Sequence, residues 1–363
     1  MIDRRNSALA WLGASFLCLA ATHDAQEESD TLYLTNGSTE NGKVLEEAFN
    51  GVSFQPEKGA KKVVPWNTVR SIDYSSAPEE LSGALATLAA GNPEAAGEEL
   101  ARVLETEGNR PMIVQQALFH LAWVHQRLGQ ADEAVGEYGK LLKDFPKGRY
   151  LRNVGENLVD LYLAKGDPGK ARSSVADLAQ GAKGLEGFDL VTGLLEAKVL
   201  EGEGKAAEAG QRYAAVEGAA AADPGLAQEA KLGRARMLLH ENKGAEAEPI
   251  LRALISESTN PRVQSGAWNG LGELQAADGR AKKNSDRILD ALYAYLRSVV
   301  QYKPLPGEST EEYERALAGA ATCFRYLSEL EQNPEKKKQH RDRERERLEQ
   351  LQLEFPNSAF LKK

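Results

Sequence analysis

Residues 115–146 read QQALFHLAWVHQRLGQADEAVGEYGKLLKDFP, and this stretch decides the fold. Leu118, Leu121, Ala122 and His125 recur at helical spacing, as do Ala134, Tyr138 and Leu141 further on. Gly129 separates the two runs and Pro146 stops the second. The stretch therefore predicts two short amphipathic helices joined by a tight turn. The same landmarks return along the chain. Gly91, Gly129, Gly166, Gly204, Asn242 and Gly279 fall 38, 37, 38, 38 and 37 residues apart. Five residues after each of the first five comes a small side chain: Ala96, Ala134, Ala171, Ala209 and Ala247. Four further on stand Leu100, Tyr138, Val175, Tyr213 and Leu251. A helix-ending turn needs a residue that accepts positive φ, which Gly and Asn supply. Close helix crossing needs a side chain no larger than Ala.

Leu118, Leu121, Ala122, Gly129, Ala134, Tyr138 and Pro146 resemble the tetratricopeptide (TPR) motif, a helix–turn–helix repeat. His125 stands where that motif has an aromatic residue, and Leu141 where it has a small one. The spacing of 37 to 38 exceeds the usual 34 of the family. Trp268, Leu271 and Gly272 repeat the family's Trp-x-x-Leu-Gly opening in a sixth unit. There, twelve residues separate Gly279 from Ala291 instead of five, and RAKKNSDR (280–287) is expected to be a basic loop insertion. Ala291, Tyr295 and Pro304 resume the pattern, and Ser309–Leu330 with Pro334–Phe355 form a longer seventh pair. The Phe355-Pro356 ending echoes Phe145-Pro146 and is similar to TPR proteins of the bacterial periplasm.

The first 25 residues read as a secretory signal: Arg4 and Arg5, an apolar run from Ala8 to Ala21 too short for a comfortable span, then small residues. A buried first helix is the alternative, and Cys18 sits in a poor lipobox because Leu17 precedes it. Signal removal leaves Cys323 as the one thiol, so no internal disulfide forms, and its apolar setting argues for an inert core residue.

Residues 30–75 change texture. TLYLT alternates before Asn36-Gly37, Asn50-Gly51 turns into Val52-Ser53-Phe54, and Val69 to Tyr74 alternates again. These short strands resemble small SH3-like or Sm-like β modules, which implies an antiparallel barrel ahead of the repeats. Trp66 serves either as the large side chain that plugs such a barrel or as an exposed platform for a proline-rich peptide; the core role is preferred, because Pro65-Trp66 lies between strands. Pro78-Glu79-Glu80 opens the helical part, residues 79–363. The expected fold is mainly α: a right-handed α-solenoid of about seven TPR-like hairpins behind a small N-terminal β-barrel-like domain.

The chain carries 45 Lys and Arg against 54 Asp and Glu, a net charge of -9, which argues against nucleic acid as a ligand. No metal motif, phosphate loop or nucleophile elbow is present, so no cofactor is expected. His120 and His125 lie five apart, off the spacing that shares a helix face. The run EKKKQHRDRERER (335–347) nearly neutralises itself and reads as a solvated helix. The TPR resemblance implies a concave groove lined by the first helix of each pair. Its ligand-facing positions would be Phe119, His120, Trp123 and Arg127 in the second unit and Asn157 and Asp160 in the third. Lys198, then Arg236 and His240, then Asn269 follow in the next three. Trp123, two residues from Leu121, is expected to point away from the packing stripe, and Phe119 with Trp123 to supply aromatic contact. Asn157 occupies the place where related arrays hold a peptide backbone. The function expected is a non-enzymatic periplasmic or secreted adaptor for a peptide or protein, without a membrane span after signal cleavage. An envelope enzyme using the repeats as a docking arm is the alternative.

Overall fold

Strand and helix follow one another in two blocks, as the change of periodicity near Tyr74 predicts. The computed structural model describes residues 29–362; the expected signal segment lies outside them. The first block holds β1 (Asp30–Leu34), β2 (Thr39–Ala48), β3 (Gly51–Pro56), β4 (Lys62–Val64) and β5 (Val69–Asp73). All pairings are antiparallel, in the order β4-β3-β2-β1-β5. This is a sheet with β4 and β5 at its edges; the strand pairing does not include a β4–β5 contact that would close a barrel. Leu32, Val44, Val52, Phe54 and Val64 form its buried face. A register shift between Val44 and Glu46 turns Leu45 outward and lets Glu47 point back into the core.

Fourteen helices follow among the described residues, and they form seven consecutive hairpins. The pairs are α1 (Glu79–Ala89) with α2 (Pro93–Glu105), α3 (Pro111–Arg127) with α4 (Ala131–Asp144), and α5 (Leu151–Ala164) with α6 (Pro168–Gly181). Next come α7 (Phe188–Gly202) with α8 (Ala206–Ala219) and α9 (Pro224–His240) with α10 (Gly244–Glu257). The last are α11 (Pro261–Lys282) with α12 (Ser285–Gln301) and α13 (Glu311–Leu330) with α14 (Pro334–Glu354). Gly91, Gly129, Gly166, Gly204 and Asn242 all take positive φ at the hairpin turns, as their spacing predicts. The small residues five positions on, from Ala96 to Ala247, are all fully buried. Asn92, Asp167 and Asp223 cap the helices that begin with the following proline. Cys323 lies in the core between α12 and α13, where burial pushes its thiol up to about 12.

The sixth hairpin departs from expectation. Gly279 is not the turn but lies inside α11, and RAKKNSDR is not a loop. The turn sits at Lys283, with φ 51°, and Asn284 caps α12 by accepting from the amides of Asp286 and Arg287. Four of the seven extra residues lengthen α11 and three lengthen α12, about one helical turn of 3.6 residues on each arm. Whole turns keep the buried faces in phase, so Ala291 and Tyr295 still face inward. Gly279 serves close approach instead: a Cβ there would stand 2.8 Å from Ile288.

The sheet is bolted to the array by buried polar contacts. Asp30 receives two hydrogen bonds from Arg110, at 2.7 and 2.9 Å, plus the amides of Val44 and Ser75. Burial works to raise the Asp30 pKa, but the Arg110 and backbone hydrogen bonds outweigh it and hold the carboxyl below its ordinary range. Glu47 accepts from Tyr74 and from Arg149, and the amide of Phe49 donates to Lys147 O at 2.8 Å. Trp66 belongs to this joint. Its indole donates to Ala48 O at 2.8 Å while the Arg149 guanidinium covers the ring at 4.1 Å, so it is a half-buried residue packed at the rim of the core and not an open platform.

Gly233 on α9 illustrates how tightly successive hairpins meet, since a Cβ would lie 2.4 Å from the Tyr213 ring. Gly233→Ala is expected to lower stability by about 1–3 kcal/mol through overpacking. Gly136→Ala on α4, where nothing lies within 4 Å of a new Cβ, should raise it by up to about 1 kcal/mol. Urea midpoints followed by circular dichroism check the opposite signs.

Candidate binding groove

The first helix of each hairpin faces inward, and the candidate positions sit on that inner face. The face is not empty. After α12 the chain leaves the stack, crosses the inner side as a strap (residues 302–310) and enters α13. Phe119, Asn157, Asp160, Lys198, Arg236 and Asn269 each meet this strap or the start of α13.

Phe119 is buried, stacked on Tyr150 with ring centroids 4.1 Å apart. Its edge meets Gly307, where a Cβ would lie 2.4 Å from the ring and where φ is +91°; only glycine fits that contact. Asn157, fully buried, donates its side-chain amide to Gly307 O at 3.4 Å and to the Tyr138 hydroxyl at 3.0 Å. Asp160 accepts from the Ser309 hydroxyl at 2.9 Å and pairs with Lys198. Lys198 also reaches Glu311, at 2.8 Å. Arg236 pairs with Glu312 at 2.5 Å and with Glu201 at 3.2 Å. Asn269 donates to the Glu312 carbonyl at 2.8 Å and to its carboxylate at 2.9 Å. Arg315, one turn into α13, pairs with Glu311 at 2.6 Å.

The electrostatics favour charged partners here. Burial opposes the charge on Lys198, but Asp160 and Glu311 outweigh it and raise the pKa. Burial likewise works to raise Glu311, yet Lys198, Arg236 and Arg315 hold it well below the usual carboxylate range. Glu314 and Asp160 are the exceptions: burial pushes Glu314 up in spite of hydrogen bonds from Thr310 and Ser358, and pushes Asp160 up in spite of Lys198 and Ser309.

Three expectations are corrected. Trp123 does not point away from the packing; it is 8% exposed and belongs to the core shared by the sheet and the first helices. The reason is that α3 is covered on nearly every side, so it lacks the single apolar stripe from which Trp123 was placed. Phe119 is likewise no open aromatic contact, since Tyr150 and Gly307 cover it. His120 is also buried, beside Phe119 and Tyr150. Arg127 lies between Phe355, at 4.0 Å, and Trp123, at 5.5 Å. It faces a cavity of about 460 Å³ at the open end of the groove, also lined by His240, Asp160, Lys198, Glu314 and Phe355. His240 makes its contribution there, apart from the strap contacts.

Sequence reasoning missed Gly307, Glu311, Glu312, Arg315 and Phe355. Pro304-Leu305-Pro306-Gly307 signals a break, and Glu311-Glu312 signals a helix start. Neither says that the break crosses the inner face. Among the described residues no group of three or more His, Cys, Asp or Glu could hold a metal ion, and no helix is long and apolar enough to cross a membrane.

Two measurements test this geometry. Burial, then the Arg149 charge, pushes His120 down to about 4 from the ordinary 6.5. Between pH 6.5 and 4 the unfolded chain binds a proton at this position and the folded chain does not, so His120 makes stability fall as pH falls. His120→Gln should flatten the stability–pH curve in that window by about 1 kcal/mol per pH unit at most, leaving it unchanged above pH 7. Arg236→Ala removes the nearest cation from Glu201 and Glu312, leaving them the longer Arg315 contacts at 3.9 and 3.7 Å, and should cost up to about 3–5 kcal/mol, measured by urea unfolding.

Residues 116–148, which span most of α3, all of α4 and the turn after it, match the sequence pattern of the tetratricopeptide repeat family. The chain is similar to the solved structure of a tetratricopeptide repeat protein from Parabacteroides merdae, with 18% identity over 74% of this chain and 98% of that one, at a TM-score of 0.42. It is also similar to PilW, a type IV pilus biogenesis factor, with 18% identity over 69% of this chain and 97% of that one, at a TM-score of 0.38. BtubC from P. vanneervenii gives 16% identity over 62% and 91%, at a TM-score of 0.39. No curated protein matches. The chain is a helical-hairpin protein that carries a tetratricopeptide repeat at residues 116–148.

Proposed function

We propose that this protein is a non-enzymatic scaffold, periplasmic or secreted, that holds a protein or peptide partner on the concave face of its repeat array. One observation carries the reading: side-chain amides on the inner face grip main-chain carbonyls, Asn157 at Gly307 and Asn269 at Glu312. Backbone capture of this kind suits an extended segment of almost any sequence, while Lys198 and Arg236 add charge selection. The basic, apolar, small-residue order of residues 1–25 supports export. The N-terminal sheet is read as an SH3-like or Sm-like module that anchors the first hairpins, in keeping with its buried contacts at Asp30 and Glu47. The cavity beside Arg127 and His240 is the part of the groove open to a partner without rearrangement.

Affinity capture from an envelope extract, with the wild-type chain beside an Arg127→Glu/His240→Glu chain, tests the binding surface. Partners enriched by the wild type should fall at least tenfold with the variant; identical sets from both would remove the groove assignment. A phosphatase reporter active only outside the cytoplasm, fused after residue 28, should be active, and an inactive fusion would overturn the export reading.

A further inference from the structure

The strap follows a pattern that a loop needed only for connection would not require. Along Gly307-Glu308-Ser309-Thr310-Glu311-Glu312, residues 307, 309, 311 and 312 are engaged by successive hairpins. Gly307 sits against Phe119 and under Asn157, from the second and third hairpins. Ser309 donates to Asp160 on the third. Glu311 meets Lys198 on the fourth, and Glu312 meets Arg236 on the fifth and Asn269 on the sixth. Five hairpins, from the second to the sixth, thus read one short acidic segment in order. Behind it, Phe355 lies on Arg127 and Pro356 stands over the Gly129 turn, so the end of the last hairpin forms one wall of the cavity beside Arg127 and His240. The strap is also reachable from outside: Leu305 is 66% exposed, and a second cavity, of about 370 Å³, lies along the strap beside Arg152, Glu229 and Lys303.

We infer that residues 304–312 act as a peptide ligand held in cis, so that the concave groove recognises an acidic segment of the form Gly-x-Ser-x-Glu-Glu whose two glutamates open a helix, as Glu311 and Glu312 open α13, and a partner bearing one enters by displacing the strap. The inference rests on the scaffold reading above and adds to it the chemistry of the partner and an autoinhibitory contact. Two adjacent carboxylates are the recognised feature, because each is matched to a separate buried cation, Lys198 and Arg236. An attached segment acts at a high effective concentration, so a free peptide of equal intrinsic affinity competes poorly until the strap is weakened.

The test uses the full chain and a fluorescein-labelled peptide of residues 302–318, followed by anisotropy. Glu311→Ala/Glu312→Ala in the chain loosens the strap and should tighten peptide binding at least tenfold over the wild type. The same peptide with both glutamates changed to lysine should not bind. An Asp160→Cys/Ser309→Cys chain should reject the peptide when oxidised and accept it when reduced. If the double alanine chain loses its helical signal, Glu312→Gln replaces it, because that side chain keeps its shape while removing the charge that faces Arg236. Equal binding by wild-type, loosened and clamped chains would overturn the inference. So would a loosened chain whose strap amides exchange rapidly yet whose groove ignores the peptide. A loosened chain that captures other proteins but rejects the strap peptide would remove the cis ligand and leave the scaffold reading standing.

Discussion

Glu311 and Glu312 enter the inner face of the array as a half-buried and a buried carboxylate, and the placement of the last hairpin follows from where their charge is matched. A carboxylate taken out of water costs several kcal/mol unless a cation and further hydrogen bonds replace its hydration. Lys198 on α7 and Arg236 on α9 supply the cations, and Asn269 on α11 fills out the hydrogen bonding. Because these partners come from three successive hairpins, the strap is tied to one position along the stack. Such pairs add more to positional specificity than to net stability, since apolar contacts would have stabilised the same approach without requiring one alignment.

The opposite end of the array is held by the same kind of contact. Asp30 joins β1 to β2, to the start of the helical block and to Arg110, which precedes α3. Glu47 gathers Tyr74 and Arg149 in the second joint. Repeat arrays bury their apolar faces only between neighbours, so the two terminal units each leave one face uncovered. Here the sheet covers the first helices, and the final hairpin folds back over the inner side with Phe355 and Phe360 beside the groove. Stability of the ends and occupancy of the groove are therefore linked on the C-terminal side: the segment that closes the array also fills it.

The repeat was legible because its determinants are local. A left-handed turn residue and an Ala five positions later are required by backbone and packing geometry in each unit separately, and from Gly91 to Asn242 they sit where their spacing puts them. The sixth unit was misread because Gly279 kept the register while the added residues continued both helices. A helix extension by whole turns leaves the hydrophobic phase intact, so the pattern alone does not distinguish it from a loop. Trp123 failed for a different reason. Its exposure depends on what covers the far side of α3, and that cover comes from residues distant in sequence.

The sequence by itself determined the helical hairpins, their turns and the strand-rich start, since each depends on spacing within one unit; Asn157, Lys198, Arg236 and Asn269 were assigned to a groove only through the family resemblance. Only the tertiary structure decided what those side chains hold. Asn157 meets Gly307 across 150 residues and Arg236 meets Glu312 across 76. Contacts of that range are set by how seven hairpins curve and by where the chain re-enters the curve, and neither quantity is written in the periodicity of a single repeat.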